Sequence, residues 1–182
     1  CRNSGAAENA FVNPAQKHSW RVSPRRAACI QNELRPLIST SPFTGRLRYV
    51  AGADVAFSSR PPMAHAAVAV YSFSDLRCIE HKTATLTLHF PYVPGLLTFR
   101  EGPAVLRCFG KLETGPDLVL FDGQGLLHPR RMGLATHLGI LLGTPSVGCA
   151  KSRLYGTCEE PAADKGSCTR VCGEDGAVLG VC

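Results

Sequence analysis

Leu118 to Arg131 reads "LVLFDGQGLLHPRR". Four apolar residues run into Asp122, and two glycines, a histidine, a proline and two arginines follow at once. A short apolar run bounded by glycine reads as a buried strand. An acid at its C-terminal end stands where mixed α/β sheets place ligands. Gly123 and Gly125 allow close backbone approach. The plain alternative is an Asx turn or a helix cap, which Asp before Gly often makes.

Upstream, the apolar pattern is that of strands. Residues 47–57 (LRYVAGADVAF), 64–73 and 78–90 read as three strands joined by short connections, hence an antiparallel meander. "SSRPPM" between the first two reads as a loop. Residues 96–113 have helical spacing, with Leu97, Val105, Leu106 and Phe109 on one side and Pro103 near the start. Downstream, a helix is expected over 131–142 and a short strand over 144–151. Ahead of all these, Ser23 caps a helix that starts at Pro24 and ends near Arg35. The core order is β-β-β-α-β-α-β: three antiparallel strands leading into helix-linked parallel ones, a mixed α/β sheet flanked by helices.

The chain has 182 residues, enough for one domain with a real core. Its composition, 45% hydrophobic and 19% charged, is globular rather than disordered. No apolar run is long enough to span a bilayer, so no membrane partner is expected. The net charge of +6 fits a polyanion partner without specifying one. Basic residues gather over 17–48, from Lys17 to Arg48, against Glu33 alone. Nine cysteines without a secretory signal read as reduced thiols of a cytoplasmic or nuclear, unsecreted protein. Cys158, Cys168, Cys172 and Cys182 crowd the tail, where a zinc site is a weaker alternative to incidental thiols. The expected layout is a loose leader at 1–19, a domain at 20–157 and a cysteine-rich tail at 158–182 that begins a longer C-terminal segment. The chain starts at Cys1, as a piece of a longer protein would.

Asp54 lies inside the first strand among small and apolar residues, where an acid needs a partner, a proton or a cation. The alternative is a solvent-facing position on a half-exposed strand. Glu101, at a helix start, is by itself explained by the helix dipole. Taken together, the strand order can set Asp54 beside Asp122 with Glu101 crossing above. Three clustered carboxylates cannot all stay ionised without cations, and oxygen ligands suit Mg²⁺ or Mn²⁺. Such ions serve phosphodiester hydrolysis, so order and acid placement together are analogous to a ribonuclease H-like nuclease core. His128, Arg130, Arg131, Lys151 and Arg153 follow the acids as candidate phosphate contacts, with ordinary solvated charge as the alternative. His137 is expected to pack against the sheet.

Four stretches, "AGADVAF", "PYVPGLLTFRE", "PDLVLFDGQGLLHPRRMGLATHLG" and "TPSVGCAKSRLYG", resemble the endonuclease V family over residues 24–156. The resemblance implies a ribonuclease H-like fold, Mg²⁺ or Mn²⁺ as cofactor, and cleavage of the second phosphodiester bond 3′ to deoxyinosine in DNA or inosine in RNA. It implies Asp54, Glu101 and Asp122 as metal carboxylates, Asp117 as a supporting acid, and His128 and Lys151 beside the scissile phosphate. Pro91, Tyr92, Val93 and Pro94 resemble the family's wedge. Their physics agrees: two prolines stiffen a loop that offers one flat ring to a gap in a base stack. A buried anchor is the other reading of Tyr92. The flipped base would lie near Gly95, Gly123 and Gly125, with Arg100, Arg130 and Arg131 among the substrate contacts. A monomer acting on single- or double-stranded nucleic acid is implied. The family continues past the stretch that "GAVLGVC" matches, with a strand, a late histidine and a helix. "AVLGV" is therefore expected to be a strand short of its next partner, and a non-catalytic inosine-binding module is the second reading.

Overall fold

The computed structural model describes residues 18–182. α1 (Pro24–Leu34) begins as its sequence requires, with Ser23 Oγ accepting from the Arg26 amide at 3.3 Å and Pro24 in the first turn. Pro36 converts its end into a 3₁₀ turn, Arg35–Leu37. β1 (Tyr49–Ser59), β2 (Pro62–Ser72) and β3 (Cys78–Thr87) form the antiparallel meander. The expected loop at 58–63 shrinks to a tight turn, because β1 and β2 stay paired out to Ser59 and Pro62.

α2 (Leu97–Phe109) leads to β4 (Leu118–Asp122), and α3 (Leu134–Leu142) leads to β5 (Ser146–Cys149). β4 pairs parallel with both β1 and β5, giving the sheet order β3-β2-β1-β4-β5. α3 starts three residues later than its spacing suggests. Arg131 holds a positive φ of 54°, which a right-handed helix excludes.

Alternation sorts the two faces of the sheet. Ala51, Ala53, Ala64, Ala66, Val68, Val70, Val119 and Phe121 are buried with Val105 and Cys108 of α2 and Leu138 and Leu142 of α3. The opposite face carries Gly52, Ala67, Ala69 and Tyr71, with Leu120 and Val147 39% and 44% exposed. The small alanines of β2 let α2 sit close enough for Cys108 Sγ to reach the Ala66 carbonyl at 3.4 Å.

The tail is a hairpin. β7 (Val178–Val181) pairs antiparallel with β6 (Arg170–Cys172), a strand absent from the expected order, so "AVLGV" has a partner on one edge. Only His18 and Ser19 of the expected leader fall among the described residues. His18 is tied down: its Nδ1–H donates to the Ser19 carbonyl, and its Nε2 accepts from His137 Nε2 at 2.8 Å. His137 therefore packs against His18, Trp20 and Phe99 rather than the sheet. Burial, and secondarily the neighbouring His18, pushes its pKa down to about 3, so it stays neutral. Among the described residues no helix is long and apolar enough to cross a membrane.

Candidate active site

The β1–β4 register runs from Val50 opposite Leu118 to Ala53 opposite Phe121. One residue further, Asp54 and Asp122 stand side by side at the C-terminal ends of adjacent parallel strands. Both lie in an open cleft of about 730 Å³, bordered by Gly52, Tyr71, Cys149 and Lys151. Glu101 comes from the second turn of α2, not the first, so the helix dipole does not explain it. Its side chain is 7% exposed. Burial pushes its pKa up to about 7, and the charges of Asp54 and then Asp122 add to the rise. The three acids therefore share one electrostatic neighbourhood.

They do not yet share a coordination sphere. Among the described residues no three His, Cys, Asp or Glu side chains stand close enough to grip one ion. Asp122 Oδ2 instead accepts from Lys151 Nζ at 2.7 Å, and Asp54 Oδ1 accepts from the Val55 amide at 2.7 Å. The Lys151 side chain is 87% exposed, so releasing it from Asp122 costs little. The donor set is nonetheless all oxygen, and the desolvated Glu101 carboxyl beside two like charges is a group that a hard dication would relieve.

The cations assigned to phosphate are committed to the protein's own acceptors. Arg100 Nη1 donates to the Phe90 carbonyl at 2.9 Å, with its guanidinium over the Phe57 ring at 4.7 Å. Arg130 donates through Nε to Gln31 Oε1 at 2.6 Å and through Nη2 to the Gly95 carbonyl at 3.0 Å. Arg131 pairs with Asp175 in the β6–β7 turn.

His128 departs furthest from its expected place. It is 2% exposed, and both ring nitrogens are used. Nδ1 accepts from the amides of Arg130 and Met132 at 3.1 and 3.4 Å, which leaves Nε2–H to donate to the Gly95 carbonyl at 2.8 Å. Burial, and to a lesser degree Arg130, keeps its pKa below that of free histidine. It is a neutral strut behind the Pro91–Gly95 segment.

The Gly95 carbonyl thus accepts from His128, Arg130 and Gln31, the last at 3.0 Å. With φ at +77° and a Cβ position only 3.1 Å from Arg130 Nη2, any side chain here would be strained, which favours glycine. Gln31 was not singled out from the sequence. Its signal is a polar residue on the buried stripe of α1, beside Ile30 and Leu34. Anchored at Gly95, the segment Pro91–Pro94 projects Tyr92, whose side chain is 70% exposed and hence no buried anchor. Behind it lies a small cavity of about 120 Å³, walled by Tyr92, Val93, Gln124, His128, Met132 and Leu154. Gly123 and Gly125 form the turn above: the Gly125 carbonyl accepts from the Gly133 amide at 3.0 Å. A Cβ on Gly148 would fall 2.4 Å from the Gly125 nitrogen, so β5 and this turn approach closely only because position 148 is glycine.

Asp117 stands at the other end of the sheet. Its Oδ2 accepts from the amides of Arg48 and Tyr49 at 2.8 and 2.9 Å, pinning the start of β1 to β4. It supports the fold, about 16 Å of strand away from Asp122.

The family model described as Endonuclease V matches residues 32–182. An endonuclease V of Nostoc is 50% identical over 153 residues, covering 84% of this chain and 69% of the relative. The crystal structure of endonuclease V from Bacillus subtilis superposes with a TM-score of 0.85 at 32% identity, covering 91% of this chain and 73% of that one. Endonuclease V of Ciona intestinalis, in complex with a 24mer DNA containing an inosine followed by a ribo-adenosine, gives 0.70 at 25% identity, covering 86% and 75%.

Proposed function

This chain belongs to the endonuclease V family of nucleases, and from that premise we propose that it hydrolyses the second phosphodiester bond 3′ to inosine in a nucleic-acid strand. The observation that carries the reading is the trio Asp54, Glu101 and Asp122, with the Glu101 carboxyl pushed up to about 7 by burial and by the two neighbouring acids. A module that only bound nucleic acid would gain nothing from buried negative charge facing a polyanion.

Asp54, Glu101 and Asp122 would hold Mg²⁺ or Mn²⁺. When bound, such an ion supplies an activated water and neutralises charge on the scissile phosphate. Lys151, released from Asp122, lies free to hold a phosphate oxygen as negative charge builds there. Tyr92 fills the stack where the inosine base leaves it, while the cavity behind Gly95 takes the base. His128, Arg130 and Gln31 act by positioning: they fix the Gly95 carbonyl, and with it the root of the wedge. That carbonyl is fully engaged, so it does not read the base edge itself. Support for an inosine substrate comes from the Ciona relative, whose complex contains inosine in DNA. The protein would act as a monomer in the cytoplasm or nucleus.

The test is a cleavage assay on this chain. Matched DNA and RNA single strands, each with one inosine, are incubated with Mg²⁺, Mn²⁺ or EDTA. Metal-dependent cutting one nucleotide beyond the inosine's 3′ neighbour bond is expected, and the faster substrate identifies the preferred sugar. Cutting that ignores EDTA, or binding without cutting under every condition, would overturn the proposal.

A further inference from the structure

The wedge separates two cavities, and the second has no part in the chemistry above. It is a cleft of about 340 Å³ between the paired ends of β2 and β3 and the start of α2. Phe90 and Phe99 form its floor, ring centroids 5.5 Å apart, with Ala64 and Ala104 beside them. Trp20 is the partly exposed wall, edge-on to Phe99 at 5.7 Å. Arg21, His89 and Arg100 form the rim, and among the described residues no acid lines the cleft. Arg21 Nη2 lies 3.2 Å from His89 Nε2, and among the described residues no acid pairs with this exposed guanidinium.

An aromatic wall over an apolar floor suits a flat π system, and a rim of cations without acids suits a negative charge. A purely apolar ligand would leave the rim unused, and a bare anion would leave the wall unused. We infer that this cleft is a second nucleotide site, which takes one base against Trp20 and its phosphate at Arg21. Phe90 leads directly into Pro91, so a strand parted by Tyr92 has this cleft on its other side. That the nucleotide belongs to the strand being cut rests on the proposed function; the ligand chemistry does not.

Trp20 is the chain's sole tryptophan, so its emission reports on this cleft alone. The protein is titrated without divalent ions with adenosine monophosphate, adenosine, inorganic phosphate and an inosine-free DNA 10-mer. Saturable quenching by the monophosphate and the 10-mer is expected, with adenosine and phosphate about tenfold weaker because each satisfies half of the site. Arg21→Glu reverses the rim charge, and Thr87→Phe fills the exposed mouth without changing charge. Each is expected to weaken quenching about tenfold, with circular dichroism confirming the fold. A 10-mer that quenches at about tenfold lower concentration than the monophosphate assigns the site to a strand; equal potency assigns it to free nucleotides. Absence of saturable quenching by both ligands, or quenching untouched by both substitutions, overturns the site. The readout involves no cleavage, so a failed nuclease assay and a failed nucleotide site are separate results.

Discussion

Glu101, 7% exposed, holds its carboxyl near two other acids, so its ionisation works against the fold. Its pKa of about 7 lies above the ordinary 4.5, and the sign follows from that direction. Below pH 4.5 the group is protonated in both folded and unfolded chains, and the fold feels no penalty. Between pH 4.5 and 7 the unfolded chain releases the proton first, so stability falls as pH rises. Above pH 7 the whole penalty is present, about 3 kcal/mol at most. Glu101→Gln is therefore expected to raise Tm in EDTA at pH 8, by roughly 4–10 °C, and to change it little at pH 4.5. Calorimetry at the two pH values checks this; an equal shift at both would point to packing instead of charge. Asp122→Asn makes the complementary test. It keeps the side chain's size and removes one negative charge, so cleavage is expected to fall at least about 100-fold while binding stays within a few-fold. Single-turnover cleavage and fluorescence anisotropy measure the two, and unimpaired cleavage would exclude Asp122 from the metal site. The positions of Asp54 and Asp122 were legible because strand periodicity places residues on a sheet. The partners of His128 were not, because its ring bonds the Gly95 carbonyl, 33 residues away in sequence, and that contact exists only in the fold.

Among the elements, the proposed wedge at Pro91–Pro94 depends on α1. Gln31 donates to the carbonyls of Gly95 and Met132 and accepts from Arg130, joining three segments far apart in sequence. Gln31→Leu removes these bonds and leaves Arg130 Nε without its partner, a loss of about 1–3 kcal/mol. It is expected to lower Tm and to loosen Tyr92, so inosine preference drops while affinity for plain strands holds; equal loss on both substrates would sever α1 from base selection. Most element boundaries follow from local chemistry: Ser23 and Pro24 start α1, and turn residues delimit the strands. The late start of α3 and the pairing of β6 with β7 do not. The first comes from Arg131's left-handed backbone, and the second is a three-residue strand too short to show a period.

Across the whole molecule, the β6–β7 hairpin is coupled to the loop between β4 and α3. Asp175 pairs with Arg131, and Leu127 packs where a side chain on Gly180 would stand. A carboxylate on Arg131 competes with a phosphate for the same cation. Asp175→Asn is expected to tighten binding of a DNA strand about 2–5-fold at low salt and by nothing measurable near 1 M. Anisotropy across a salt series tests this, and a salt-independent gain would locate the effect elsewhere.

By itself the residue order determined the sheet, its helices and two of the acids, because alternation, helical spacing, caps and turns are local rules that act between near neighbours. Only the tertiary structure decided what each cation holds, how far Glu101 is desolvated, and that two cavities flank the wedge. Those properties arise where distant segments exclude water from one another, and no local pattern in the chain records that exclusion.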